Sequence, residues 1–246
     1  MSSIILGIIA ILFNNIGSLF FFSLVLLSSL VLLYEYYGIF DKKILDIRFY
    51  FTCIAILLIS LSIYLHYLVF TILIFFVAAL ILYILALNNQ FFYSILPLFY
   101  FGIPSALLIY LNHHYDDGKL AILWIFSIVW ATDSFGYFFG KTFKGPKLYK
   151  SISPNKTWTG FFGALTGAMF ASLIFCYIFD YESSFHAIFY GSLISLSCIV
   201  GDLFESYIKR INNKKDSSTL LPGHGGLLDR LDGFLFAIVI TSLLKL

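Results

Sequence analysis

Long apolar runs decide what this chain can fold into. They lie near residues 4–13, 18–34, 49–65, 68–87, 91–111, 119–140, 158–179, 185–208 and 231–246. A bilayer core about 30 Å thick is crossed by roughly 20 apolar residues of helix, and most of these runs approach that length. The chain has 246 residues, of which 61% are hydrophobic and 11% charged, whereas soluble domains carry about 25% charge. No apolar/polar alternation of a β-barrel is present. Backbone groups inside lipid must be satisfied within the segment, so the spans are helices. The expected fold is all-α: a polytopic membrane helical bundle of nine transmembrane helices, or eight if the short 4–13 run does not cross. His66 and Tyr67 mark a tight hairpin between two spans. Residues 1–118 are expected to form an N-terminal helical group, and 119–246 a C-terminal group that carries the chemistry. The three cysteines, Cys53, Cys176 and Cys198, sit inside apolar runs with no metal spacing and read as small buried hydrophobes. The N-terminus shows no basic region followed by a small-residue cleavage site, so no cleavable signal peptide is expected.

Basic residues collect in three places. Lys42, Lys43 and Arg48 follow the second run and read as topology signals. Lys141, Lys144, Lys147, Lys150 and Lys156 follow the sixth without an acid among them, and Lys209, Arg210, Lys214, Lys215 and Arg230 follow the eighth. Even numbers of spans separate these sites, which puts them on one side, and the positive-inside rule makes that side the cytoplasm. The neutral or acidic stretches "NNQ", "NHHYDDGK" and "DYESSFH" are assigned to the opposite side.

Acids inside apolar helices are costly, about 2.5–3.5 kcal/mol each at the bilayer centre, and they concentrate near the basic side. Asp133 lies late in the sixth run, Asp202 and Glu205 late in the eighth, and Asp229 and Asp232 at the start of the last. Asp133 taken alone fits a helix-end cap as well as a site. Asp202, Glu205, Ser206, Lys209 and Arg210 fall at i, i+3, i+4, i+7 and i+8, one face of a helix. Asp229 and Asp232 are also three apart, so their carboxylates are expected to converge. Converging carboxylates suit a hard cation such as Mg²⁺, bound by few carboxylates plus substrate phosphates. No His/Cys cluster points to zinc. The metal set is Asp202, Asp229 and Asp232, with Glu205 beside them. "PGHGG" (222–226) offers backbone N–H groups of Gly223, Gly225 and Gly226 to an oxyanion, next to the positive end of the following helix. His224 either donates to a phosphate or closes the turn. Lys209, Arg210, Lys214, Lys215 and Lys156 supply positive charge. These features describe a site for a polyphosphate and a metal ion at the membrane surface.

The stretch "SYIKRINNKKDSSTLLPGHGGLLDRLD" (206–232) resembles the signature of phosphatidate cytidylyltransferases, the CDP-diacylglycerol synthases, at every fixed position. "TDSFGYFFGK" (132–141) and "ISPNKTWTG" (152–160) resemble two further blocks of that family. Upstream of about residue 120 only hydropathy and Glu35, an acid ending a span, support the likeness. Gly136 stands where alanine is common, and Thr159 where many members have glutamate. The resemblance implies that CTP and phosphatidate give CDP-diacylglycerol and pyrophosphate with Mg²⁺, and leaves room for a second cation. It also implies a homodimer in a bacterial inner membrane, with the site facing the cytoplasm and no nucleic-acid partner. On that reading Asp229 and Asp232 act with the metal, and Lys209, Arg210, Lys215 and Lys156 hold phosphates. Asp216 orients Lys215, and Arg230 pairs with an acid or a phosphate. Ser153, Asp133 and the glycine loop bind substrate. An ion or phosphate transporter would also place acids and bases in a helical bundle. Transporters, however, favour midplane sites and inverted repeats, and neither is legible here.

Ten of the fifteen basic residues fall in residues 141–230, so the loops at 141–157 and 209–229 are expected to be cytoplasmic. Single cysteines placed there in a Cys-free background should resist an impermeant thiol reagent in sealed cells and react once the membrane is permeabilised. Labelling of both loops from outside would reverse the orientation.

Overall fold

The computed structural model describes residues 12, 14, 17–40, 46–86, 91–220 and 225–245. Nine helices, two strands and one π-turn are described: α1 Ser18–Ile39, α2 Ile47–Tyr64, α3 Leu68–Leu85, the single turn α4 Phe91–Ser94, a π-turn Leu98–Gly102, α5 Ile103–His114, α6 Gly118–Phe143, β1 Lys147–Tyr149, β2 Ser153–Thr157, α7 Trp158–Phe179, α8 Ser184–Ile211 and α9 Leu228–Lys245. Six of them, α1, α2, α3, α6, α7 and α8, are long and apolar enough to cross a membrane.

The other expected spans differ for identifiable reasons. The 4–13 run lies outside the described residues, apart from Leu12. The 91–111 run is broken into α4, the π-turn and α5. Pro97 and Pro104 interrupt it, because proline lacks the N–H that would carry an α-helix through. Helix α9 carries Asp229, Arg230, Asp232 and Lys245 in its 18 residues.

By packing the chain forms two units, one of residues 1–119 with 216–230, the other of 120–215 with 231–246. In the first, α2 and α3 form the expected hairpin, turning at His66, whose φ of 65° is left-handed. Buried hydroxyls tie its helices together: Ser29 meets Ser105 at 2.6 Å and Ser62 meets Thr71 at 2.7 Å. Arg48 donates to Ser94 at 2.9 Å, pairs with Asp46 and lies over the Tyr93 ring. "NNQ" (88–90) itself is outside the described residues, as are Lys42 and Lys43. The residues that follow it nevertheless sit at the Arg48 end, because the α2–α3 hairpin returns the chain there.

The second unit is held by helices that approach through small residues. In lipid no hydrophobic drive pulls helices together, so close packing and polar ties must. Gly163 receives the Phe139 ring and Gly167 the Phe135 ring; a Cβ at either would lie 2.4 and 2.3 Å from ring or Cβ carbons. Gly136 and Gly140 of α6 meet Ala164 and Gly160 of α7. Gly191 of α8 seats on Ser172 of α7. Where α8 meets α9, a Cβ on Gly201 would lie 2.7 Å from the Asp232 carbonyl oxygen, and one on Gly233 2.4 Å from Cys198 Sγ. Between α6 and α7 the chain makes a short antiparallel hairpin, β1 to β2, pairing Lys147 with Thr157 and Tyr149 with Ser153. The sequence reading had no strand there. Thr157 then caps α7, its Oγ1 accepting from Gly160 N at 3.1 Å.

Candidate functional site

The second unit holds a cavity of about 720 Å³. Its floor is small: Gly136, Gly140, Gly160 and Ala164 line it, the residues that let α6 and α7 approach. Its polar groups come from α6, the hairpin and α8. Lys141, Lys144, Lys147 and Lys156 line it with only two acids, Asp133 and Asp202. Among the described residues, Lys144 and Lys147 pair with no acid. Lys141 donates to the Tyr137 hydroxyl at 3.1 Å. Lys144 ends α6 in a left-handed conformation, φ 43°. Glycine is the usual residue at such a helix end, and a side chain there costs roughly 1–2 kcal/mol. The lysine is thus held in a strained backbone position on the cavity wall.

The acids gather because of the glycine crossing. Gly201 draws the Asp232 backbone against α8, which sets Asp232 beside Asp202. The charges of Asp202, Asp133 and Lys156 all act on the half-buried Asp232 carboxyl. Lys156 Nζ lies 2.5 Å from Asp202 Oδ2, and both side chains are partly exposed, 24% and 39%. The Lys156 ammonium thus acts on Asp202 directly and on Asp232 at longer range. Paired carboxylates such as Asp202 and Asp232 are ligands of the kind Mg²⁺ takes together with water and phosphate. Among the described residues no group of three or more His, Cys, Asp or Glu side chains is arranged to hold a metal ion. A cation at Asp202 and Asp232 would complete its shell with water and substrate phosphate, as Mg²⁺ commonly does.

Other expected residues have different partners. Glu205 and Lys209 are buried and pair with each other at 2.5 Å within α8. Arg210 donates to the carbonyls of Ile152, at 3.3 Å, and Lys214, at 2.8 Å, so it ties the hairpin and the 212–214 turn to α8. The expected one-face stripe on α8 is thus divided between the cavity acid Asp202 and this buried pair. Ser153 lies in β2, outside the cavity lining, and Lys215 and Asp216 are exposed. Gly223 and His224 lie outside the described residues.

In the first unit, Asp229 closes a loop. Its Oδ2 accepts from Ser217 N and Oγ, both at 3.0 Å, and from Gly226 N at 2.7 Å. Asp229 and Asp232, expected to converge, therefore have different described partners. Glycine is needed at 225 and 226 for this loop. Gly225 has φ +79°, and a Cβ on Gly226 would fall 2.0 Å from Ser217 Oγ and 2.7 Å from both Glu35 carboxylate oxygens. Arg230, half-buried, donates its backbone N–H to Leu227 O. Glu35, 1% exposed, is the organising group. Its Oε1 accepts from Leu227 N at 2.9 Å and Ser218 Oγ at 2.7 Å; its Oε2 accepts from Leu228 N at 2.7 Å and Ser217 Oγ at 3.3 Å. It satisfies the first N–H groups of α9, where a negative charge also meets the positive helix end.

The sequence reading gave Glu35 no role, because its partners lie some 190 residues away and leave no local pattern. It counted Lys141, Lys144 and Lys147 only as orientation signals; the absence of any acid among them was the available clue.

The model of the cytidylyltransferase family matches residues 1–246. The phosphatidate cytidylyltransferase of Brucella abortus is 38% identical over 146 residues, covering 59% of this chain and 54% of that protein. The phosphatidate cytidylyltransferase of Rickettsia prowazekii is 40% identical over 158 residues, covering 61% of this chain and 67% of that protein. The alignment with the Brucella protein thus takes in only about half of its length.

Both Glu35 oxygens face donors, so glutamine, which turns an NH₂ toward one pair of them, should serve no better than alanine. Each buried donor left unsatisfied costs about 1–3 kcal/mol. Glu35→Gln and Glu35→Ala should each lose at least about 3 kcal/mol of stability in detergent melting and become cleavable by protease within 216–227. Unchanged melting and protease resistance in both would refute the clasp.

Proposed function

Because the chain belongs to the cytidylyltransferase family, we propose that it transfers the cytidylyl group of CTP to phosphatidate, giving CDP-diacylglycerol and pyrophosphate. The observation that carries this reading is the cavity lined by four lysines and two aspartates, set between helices of membrane-spanning length. A water-soluble nucleotide and a lipid phosphate both need such a place. The reading includes an integral protein of a bacterial inner membrane, homodimeric, crossed by up to nine spans, with the cavity facing the cytoplasm.

In this reading a phosphate oxygen of phosphatidate attacks the α-phosphorus, and the bond to the bridging oxygen of the β-phosphate breaks as pyrophosphate leaves. A phosphomonoester has its second ionisation near pH 6, so the nucleophile arrives deprotonated and needs no base. Repulsion between two anions is the obstacle, and positioning with charge neutralisation overcomes it. Lys141, Lys144 and Lys147 hold the triphosphate along the cavity wall. From the sequence this role falls to Lys209, Arg210, Lys215 and Lys156. Asp202 and Asp232, with Asp133 nearby, would hold Mg²⁺, which would supply Lewis acidity at the phosphates. Asp229 keeps the glycine loop closed, and Glu205 fixes Lys209.

Purified protein in micelles, given phosphatidate, Mg²⁺ and CTP labelled in the α-phosphate, should move label into lipid with an equal amount of unlabelled pyrophosphate. Label from the γ-phosphate should never enter lipid, and EDTA should stop the reaction. Lipid labelled from the γ-position, which would mean a lipid kinase, or folded protein that consumes no CTP with phosphatidate would overturn the proposal.

A further inference from the structure

The second unit contains two lysine–carboxylate pairs of equal length and unequal character. Lys209 and Glu205, 2.5 Å apart, lie one turn apart on α8 with side chains 9% and 2% exposed. Lys156 and Asp202, also 2.5 Å apart, come from β2 and α8, and their side chains are 24% and 39% exposed. The first pair is local and enclosed. The second lines the cavity, where water and ligand reach it. Asp202 also stands beside Asp133 and Asp232, so Lys156 is the cation that now offsets a group of acids suited to a metal. Lysine is a compact charge on a flexible four-carbon stem. Lys144 and Lys147 line the same cavity, so a phosphate held by them lies within the range of that stem.

We propose that Lys156 is an exchangeable placeholder: it holds the Asp202 carboxylate until a divalent cation takes that position, and then turns its ammonium to a phosphate of the nucleotide. The inference rests on the reading of the cavity given above and adds an order to it. A cation alone must displace Lys156 and leave the ammonium among like charges. A nucleotide alone finds Lys156 engaged. Each ligand therefore relieves the obstacle to the other, and by linkage the effect is reciprocal. Metal and nucleotide load as a pair, and a cavity holding a lone cation or a lone nucleotide is disfavoured.

The test is Mn²⁺ binding, followed by electron paramagnetic resonance on detergent-purified protein without nucleotide. Lys156→Met should bind Mn²⁺ about tenfold more tightly than the unaltered protein, within the 5–150-fold span usual for coupled sites. Lys156→Gln, with a different polarity at the same length, gives a second measurement should the methionine variant not elute as a single species. Lys150→Met removes an exposed lysine that does not line the cavity and should change the affinity less than twofold. That variant separates a local exchange from a general change in charge. Asp202→Asn should abolish binding and so identifies the site. Equal or weaker Mn²⁺ binding in the Lys156 variants, with loss in Asp202→Asn, overturns the exchange and leaves the metal assignment standing. Mn²⁺ binding that is absent throughout, or indifferent to Asp202→Asn, overturns the metal assignment and the exchange together.

Discussion

A carboxylate set into an apolar helix must find compensation from within the protein, and both packing units are organised around how that is done. In the first, Glu35 is enclosed and its oxygens are taken up by backbone N–H groups and two serine hydroxyls. Nothing is left for a ligand, so the result is a fixed loop. In the second, Asp202 stands near Asp133 and Asp232 and pairs with Lys156, which is partly exposed. Compensation there is incomplete and open to exchange. The same chemical group therefore closes a structure in one place and prepares a binding site in the other. Burial and partner type make the difference.

Small residues make that second arrangement possible. Gly201 and Gly233 let α8 and α9 touch closely enough for Asp202 and Asp232 to become neighbours. Gly136, Gly140 and Gly160 do the same for α6 and α7 and form the cavity floor. Helices that pack in lipid rely on close approach rather than on hydrophobic drive, so the residues that hold the unit together also shape its cavity. The hairpin between α6 and α7 then brings Lys147 and Lys156 to the cavity from strands too short and too polar to cross anything.

Much of this was legible in the sequence because lipid imposes a length and a composition. The run at 158–179 coincides with α7 at both ends, and the turn at His66 stands where two polar rings interrupted the apolar pattern. The 91–111 run is broken into pieces rather than one continuous helix, which hydropathy could not show because it does not register what Pro97 and Pro104 do to a backbone. The hairpin was missed because "KLY" and "SPNKT" are too short for alternation to show. Glu35 could be noticed as an acid ending a span, but its partners are fixed only by folding. The cavity lysines were visible as charges, yet a lysine that orients a loop and a lysine that holds a phosphate look the same in one dimension. Spacing on α8 singled out Asp202, which lines the cavity. It could not tell that Glu205 and Lys209, on the same stripe, are buried and pair with each other.

The central claim is that the acids beside the lysine-lined cavity, and not those of the glycine loop, receive the metal. Crystals grown with Mn²⁺ and CTP would test it through the anomalous scattering of manganese. The account predicts the strongest peak about 2.1 Å from a carboxylate oxygen of Asp202 or Asp232, close to the length set by Mg²⁺ coordination, with nucleotide phosphate on its other side. A strongest peak on Asp229 or Glu35, with none at Asp202 or Asp232, would contradict it.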